Sequence, residues 1–408
     1  MITKISDRYQ IGFWNYSPAS EQGAADVADW EKLGMTFVMS PQYNPKTDAA
    51  KLREVLDACA EKNIAVILND PRARWGGAAT DTENYRAKYA AALRDFGSHP
   101  AVRGFHVGDE PNSDAAFADA QKAMEIQSEM APNLLPHLNY LPFWGGQEQT
   151  FAREMKLAEE AKAGVLCYDC YSQMNPGDDG VNLYYRNLRM FAEEAEKRNI
   201  APWTTLLCIG HFRYRVTKED DLRWQLSTAA ACGMKGILWF YLYCIAKSNY
   251  RSAPFDVFGE KTETFGYLSR VNRMFLHQFG DFFANAVREA TYMVGKSYGG
   301  YPLFENGKTD VTVLEVQSRH NLPALISFFT LNGKRYAVLV NNSPFESGQF
   351  GLVLPKAATF KRLSWDGEWE DLRTHHHDAL YSEAETTVLG GDWLAPGQMQ
   401  VYEIEMSN

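Results

Sequence analysis

From Ile11 to about Tyr243, short apolar runs alternate with longer stretches whose apolar residues recur every three to four positions. This is the pattern of repeated strand–helix units built around a parallel sheet. The runs predict eight strands: Ile11 to Tyr16, Met35 to Ser40, Ala65 to Asn69, Val102 to Val107, Leu135 to Leu141, Val165 to Tyr171, Pro202 to Ile209 and Gly236 to Tyr243. Between them, Ala-, Glu-, Lys- and Leu-rich periods predict helices such as Ala49 to Lys62, Glu83 to Phe96, Ala115 to Met130, Phe151 to Ala163, Tyr184 to Arg198 and Lys218 to Cys232. Thr264 to Phe283 would complete the ring. Eight such units over about 280 residues predict an α/β fold, the (β/α)8 TIM barrel.

Beyond about Ala290 the texture changes to β-branched and aromatic runs cut by Gly, Asn and Pro. Strands are predicted at Val311 to Val316, Ala324 to Thr330, Tyr336 to Asn341, Gly348 to Leu354, Thr359 to Ser364 and Met399 to Glu405, with Asn332-Gly333 as a hairpin turn. The expected division is a catalytic barrel over residues 1–290 and a C-terminal antiparallel β-sandwich domain over 291–408. The run His375 to His377 reads as a solvated turn of that tail.

Charge and cysteine usage narrow the partners. The sequence has 41 basic and 51 acidic residues, a net charge of -10, and no basic run, which speaks against nucleic acid. No apolar stretch approaches a membrane span, so no membrane partner is expected. Six cysteines lack the spacing of a disulfide scaffold; Cys167 and Cys170 form a C-x-x-C, but in a strand they face opposite sides and read as core. Residues 1–10 carry charges and no apolar signal core, which points to a cytoplasmic protein. Glycine-rich phosphate loops and zinc-ligand spacings are absent, so neither a cofactor nor a metal is expected.

In such barrels the chemistry stands at the C-terminal ends of the strands. Here those ends are polar and aromatic, and the fourth is the sharpest: Gly108-Asp109-Glu110-Pro111. Pro111 cannot extend the strand and biases Glu110 to an extended backbone. Alternation places His106, Gly108 and Glu110 on one face, where Gly108 would leave room for a ligand. Asn112 or Ser113 can cap the next helix, which frees Glu110 to serve as general acid. Glycoside cleavage needs a second carboxylate, and Asp169 in strand six, between Tyr168 and Tyr171, is the candidate. A nearby phenol could hold it ionised. Its expected role is to activate water, since two nonadjacent strands could leave space for a water molecule, with nucleophilic attack as the other possibility. Candidate substrate-binding residues are Asp109, Asn139, Tyr171 and His211, with His106, Arg72, and Asp70, which is followed by Arg72 and Arg74 and reads as a salt-bridged binding residue. Trp14, Tyr140, Trp239 and Tyr241 add aromatic faces suited to the C–H side of a sugar ring.

On these residues the chain resembles the clan A TIM-barrel glycoside hydrolases, in particular the β-galactosidase-like type. Gly108-Asp109-Glu110-Pro111 looks like the clan's Asn-Glu-Pro, with Asp109 in the Asn place. The resemblance implies that Glu110 is the acid/base and that Asp109 helps to bind the sugar. The clan's nucleophile, a Glu ending strand seven, has no counterpart in Pro202 to His211. A partial likeness to chitinase-type barrels rests on Tyr168-Asp169 and Trp239, but Gly108 stands where those enzymes need an Asp. The expected function is hydrolysis of an O-glycosidic bond of a small or terminal sugar unit, with a carbohydrate as substrate. Two alternatives stay open: a sugar isomerase, epimerase or lyase with a divalent metal on His106, Glu110, Asp169 or His211, and a non-catalytic carbohydrate-binding barrel.

Overall fold

The computed structural model describes residues 4–374 and 379–406; the run His375 to His377 lies outside the described residues. The eight predicted strands form one parallel sheet: β1 Gln10–Phe13, β2 Phe37–Met39, β3 Ala65–Leu68, β4 Val102–Asp109, β5 Leu135–Tyr140, β6 Val165–Asp169, β7 Ala201–Leu207 and β8 Gly236–Phe240. The hydrogen-bonded order is β1-β8-β7-β6-β5-β4-β3-β2. Thr36 N donates to Ile11 O at 2.8 Å, which brings β2 back to β1 and closes the barrel.

The ring of helices consists of α1 Val27–Lys32, α2 Ala49–Glu61, α3 Thr82–Ala92, α4 Asp114–Met130, α5 Glu148–Glu160, α6 Asp178–Arg198, α7 Glu219–Ala231 and α8 Glu263–Gln278, followed by a short α9 Gly280–Asn285. Several begin at side-chain caps. Ser113 Oγ accepts from Ala116 N at 3.2 Å and Thr262 Oγ1 from Thr264 N at 3.2 Å. Ser113 therefore starts α4 without using Asp109 or Glu110. Return turns from helix to strand use left-handed residues, among them Asn63 (φ 52°) and Asn199 (φ 54°), the type that tolerates this conformation best after glycine.

Strand alternation divides the barrel core into two layers. Val165, Cys167, Ala201, Trp203, Leu207 and Leu238 fill the interior, while Leu166, Tyr168, Leu206, Cys208, Ile237 and Trp239 meet the helices. Cys167 thus points inward and Cys170 outward, as strand geometry requires, and all six cysteines are free.

The tail forms two antiparallel sheets. Its strands are β9 Val287–Val294, β10 Glu315–Ser318, β11 Ala324–Leu331, β12 Lys334–Asn341, β13 Gly348–Pro355, β14 Ala358–Leu363, β15 Trp369–Asp371, β16 Ala379–Glu383, β17 Thr387–Leu394 and β18 Met399–Met406. One sheet runs β10-β13-β17-β16 and the other β15-β14-β18-β12-β11-β9. Ile326, Phe328, Leu339, Phe350, Leu352 and Tyr402 form the core of this sandwich. The opposite face of the six-stranded sheet, with Leu325, Phe329, Val338 and Val401, joins the barrel's outer apolar layer. Asn342 Oδ1 fastens the two by accepting from Trp224 Nε1 at 2.8 Å and Tyr185 OH at 2.5 Å.

The expected Asn332-Gly333 turn connects β11 to β12, with φ of 52° and 77°. One predicted strand of the tail starts late, and four strands, β9, β15, β16 and β17, were not predicted. The strand expected at Val311 to Val316 begins only at Glu315, because Asp310 Oδ1 accepts from Thr312 N and Val313 N and bends that stretch into a turn. Among the four strands not predicted is β17, which carries Gly390-Gly391 in its middle. A side chain at Gly391 would meet Phe350 O at 2.0 Å, so close sheet contact, not chain reversal, demands glycine there.

Candidate active site

Because the barrel strands are parallel, their C-terminal ends share one mouth, and register sets polar residues side by side. Asp109 pairs with Asn139 across β4 and β5, and Asp169 with Thr205 across β6 and β7. Together with Glu110 they line a cavity of about 240 Å³, which suits one small ring better than a polymer chain. Its other walls are Trp14, Tyr16, Tyr171, His211, Phe212, Tyr214, Phe240 and Tyr250.

Asn139 organises the acids. Its Nδ2 donates to Asp109 Oδ1 at 3.0 Å and to Asp169 Oδ1 at 2.8 Å, using both hydrogens of one amide. The Tyr171 hydroxyl also donates to Asp169, whereas Tyr168 faces away and stacks on Phe191 at 3.9 Å. The Glu110 and Asp169 carboxyls lie within hydrogen-bonding reach of each other, although β5 separates their strands.

Burial pushes Glu110 up to about 8, reinforced by the charges of Asp169 and Asp109 and by the hydrogen bond to Asp169. Burial and the Asp109 charge raise Asp169 to about 6, opposed by the hydrogen bonds from Asn139 and Tyr171. Both carboxyls are thus pushed upward, Glu110 the further, so Glu110 keeps a proton more readily than Asp169. Asp109 is raised as well, by burial, against the pull of Asn139 and Arg74. Two carboxyls driven apart in this way can divide the acid and the base or nucleophile roles.

Glu110 does not adopt the extended backbone expected before Pro111. Its φ is 50°, a left-handed conformation that costs a non-glycine residue about 1–3 kcal/mol and persists only where surroundings enforce it. Here Glu110 N donates to Asn139 O at 2.9 Å, and Pro111 follows. A register shift between His106 and Gly108 breaks the simple alternation of β4. Gly108 makes no room for a ligand: an added Cβ would meet the Trp75 ring at 2.2 Å.

The remaining expected residues divide between wall and scaffold. Trp14, Asp109, Asn139, Tyr171 and His211 line the cavity. His106 lies buried beneath it, with Nδ1 3.0 Å from Nδ1 of His137 and its ring edge-on to Trp14. Burial holds both histidines far below their usual range, so this pair is neutral. Asp70 is buried, accepting from Tyr43 OH and from Arg72, whose Nη1 also donates to Asp95 at 2.5 Å. That ion pair stands outside the cavity lining. Tyr140 and Trp239 point outward, Trp239 Nε1 donating to Asn272 of α8 at 3.0 Å, and Tyr241 packs behind the wall against Tyr16.

Several lining residues were not singled out from sequence: Tyr16, Thr205, Phe212, Tyr214, Phe240 and Tyr250. Alternation from Gly236, whose Cβ would meet the Trp203 ring in the interior, would have pointed to Phe240 rather than Trp239. Asn139 Oδ1, Thr205 Oγ1 and His211 Nδ1 are buried without a partner among the described residues, and all three belong to lining side chains. Burial depresses His211 to about 4, so it offers a neutral imidazole. Such a set of unpaired donors and acceptors between aromatic walls fits a polyhydroxylated ring. Of the four side chains weighed as metal ligands, His106 lies beneath the cavity that the other three line, and among the described residues no group of three or more His, Cys, Asp or Glu is placed to hold a metal ion.

No protein-family model matches the sequence, and no curated protein matches it. Solved structures do share the fold, and they include glycoside hydrolases. A glycoside hydrolase family 5 protein from Bacteroides vulgatus matches with a TM-score of 0.56 at 11% identity, over 98% of this chain and 89% of that one. A glucosidase from Croceicoccus marinus matches with a TM-score of 0.51 at 12% identity, over 99% and 96%. A β-galactosidase from the psychrophilic Marinomonas ef1 matches with a TM-score of 0.51 at 13% identity, over 65% of this chain and 59% of its own length. What this chain shares with them is the fold, a (β/α)8 barrel followed by a β-sandwich. No described helix is long and apolar enough to cross a membrane.

Proposed function

We propose that the protein is a glycoside hydrolase that cleaves the O-glycosidic bond of a small or terminal sugar unit at the mouth of the barrel. The observation that carries this reading is the convergence of Glu110 and Asp169, from the ends of β4 and β6, in one cavity of ring size, where burial raises both carboxyls and Glu110 the further.

Glu110 gives its proton to the glycosidic oxygen as the bond from that oxygen to the anomeric carbon breaks. Asp169 attacks or stabilises the anomeric carbon from the other side. Glycosidases that activate water directly hold their two carboxyls roughly 6.5–9.5 Å apart, and those forming a covalent glycosyl-enzyme roughly 5–5.5 Å. A pair in contact before substrate enters belongs with the closer class, so Asp169 is assigned the nucleophile's role. The intermediate is resolved by water, whose oxygen bonds to the anomeric carbon while its proton returns to Glu110 and Asp169 leaves as carboxylate. Asp109, Asn139, Thr205 and His211 bind hydroxyls, and Trp14 and Phe240 face the ring.

Turnover of 4-nitrophenyl glycosides and short oligosaccharides by wild type, Glu110→Gln and Asp169→Asn tests this reading. Loss of turnover in both variants supports it. Full activity in Asp169→Asn removes the second carboxylate from the mechanism, and binding without turnover in wild type would favour the non-catalytic carbohydrate-binding barrel.

A further inference from the structure

The loop after β7 presents Phe212 in a way that neither packing nor chain geometry explains. The side chain lines the cavity yet is 61% exposed, and its φ of 47° is a left-handed conformation that a bulky residue rarely adopts. The loop after β8 enforces it. Asn249 Oδ1 accepts from Phe212 N at 2.7 Å while Asn249 Nδ2 donates to Phe212 O at 2.9 Å, so one amide grips both backbone groups. Beside it, Gly210 and Arg251 exchange two backbone hydrogen bonds at 3.0 and 2.9 Å. His211 lies flat on Tyr250, centroids 5.1 Å apart and planes within 6°, forming a rigid base under the Phe212 ring. A loop required only to connect β7 to α7 would place Gly or Asn at such a backbone position and a polar side chain at such exposure.

We propose that Phe212 is the platform for the departing half of the substrate: a ring with a flat apolar face, a second pyranose or an aryl aglycone, stacks on it at the rim while the reacting sugar occupies the cavity. Asn249 is its positioning residue. This rests on the hydrolase reading, and it restricts the substrate class to glycosides whose leaving group is itself a ring. Aromatic faces at exposed sites recognise such rings without needing a charged partner.

The test compares three leaving groups on one glycosyl unit, in the β-glucosyl and β-galactosyl series: the glycosyl fluoride, which departs without a ring, the 4-nitrophenyl glycoside, and cellobiose or lactose. In Phe212→Ala, kcat/KM is expected to fall at least tenfold more for the ring-bearing substrates than for the fluoride. Asn249→Ala is expected to shift the same ratio by a smaller factor, and Phe212→Trp to restore it. A shift confined to the disaccharide identifies a sugar as the stacked ring, and one confined to the nitrophenyl glycoside an aryl group. Equal loss on all three substrates, or no loss, overturns the platform. Should wild type turn over none of them, the hydrolase reading fails. Calorimetric titration with the disaccharides and with glucose and galactose then decides the platform alone. At least tenfold weaker disaccharide binding in Phe212→Ala, against a smaller change for the monosaccharides, supports it, and equal changes or undetectable binding by wild type overturn it.

Discussion

The two halves of the barrel mouth are built on different principles. The half formed by β4, β5 and β6 carries Asp109, Glu110, Asn139 and Asp169 on strand ends or one residue beyond, tied by hydrogen bonds of 2.8 to 3.0 Å through one asparagine. The half formed by β7, β8 and β1 is aromatic, and much of it, Phe212, Tyr214 and Tyr250 included, stands on loops clamped to each other. A fixed charge arrangement requires rigid elements, because acid strength depends on sub-ångström geometry. Recognition of a ring tolerates loops, provided they are held. On the proposed function, the acidic half would perform the chemistry and the aromatic half would select what reaches it.

The division breaks most visibly if the two acids can be exchanged for neutral groups without loss. Glu110→Gln and Asp169→Asn are each expected to lower kcat on oligosaccharides by about 10²–10⁴-fold. A 2,4-dinitrophenyl leaving group, which departs without protonation, should restore much of the first loss and none of the second; stopped-flow assays of that substrate read the difference. Asn139→Ala leaves two carboxyls without their shared donor, and kcat should fall by about 10–100-fold, as expected for lost hydrogen bonds to charged groups.

The pH dependence sharpens the same half. With Asp169 at about 6 and Glu110 at about 8, kcat/KM should be bell-shaped, falling below pH 6 as Asp169 gains a proton and above pH 8 as Glu110 loses its own. Tyr171→Phe removes a hydrogen bond to the ionised form, so the acid limb should move upward. Stability follows with a definite sign. Because folding raises the Glu110 carboxyl, the folded state binds a proton more tightly than the unfolded chain, and stability declines as pH rises from the ordinary carboxylate range through about 8. Glu110→Gln should therefore gain a few degrees in Tm over wild type at pH 9 and less at pH 5, by calorimetry. The smallest effect belongs to the aromatic half: Phe240→Ala should raise KM by roughly tenfold with kcat less affected, the signature of lost ring contact.

The barrel was legible because eight apolar runs and the helical periods between them leave few alternatives. The acids were legible too, since they stand where parallel strands end and two of them precede a proline. Alternation explains the residues that read differently. Trp239 and Tyr140 lie one position from Phe240 and Asn139, and that single step turns a side chain from the cavity to the helices. His106 points inward but sits a layer too deep, paired with His137. The bulge in β4 and the left-handed Glu110 depend on contacts with β5 that no local rule foretells. Phe212 and Tyr250 owe their places to loops joined across about forty residues, which periodicity does not encode.

The most direct test of the pair at the centre of this site is the stereochemistry of the first-formed product, followed by 1H NMR while wild type hydrolyses a substrate it turns over. With Asp169 as nucleophile in contact with Glu110, the first anomer released is predicted to keep the configuration of the substrate. Release of the opposite anomer would contradict that assignment and return Asp169 to the role of activating water.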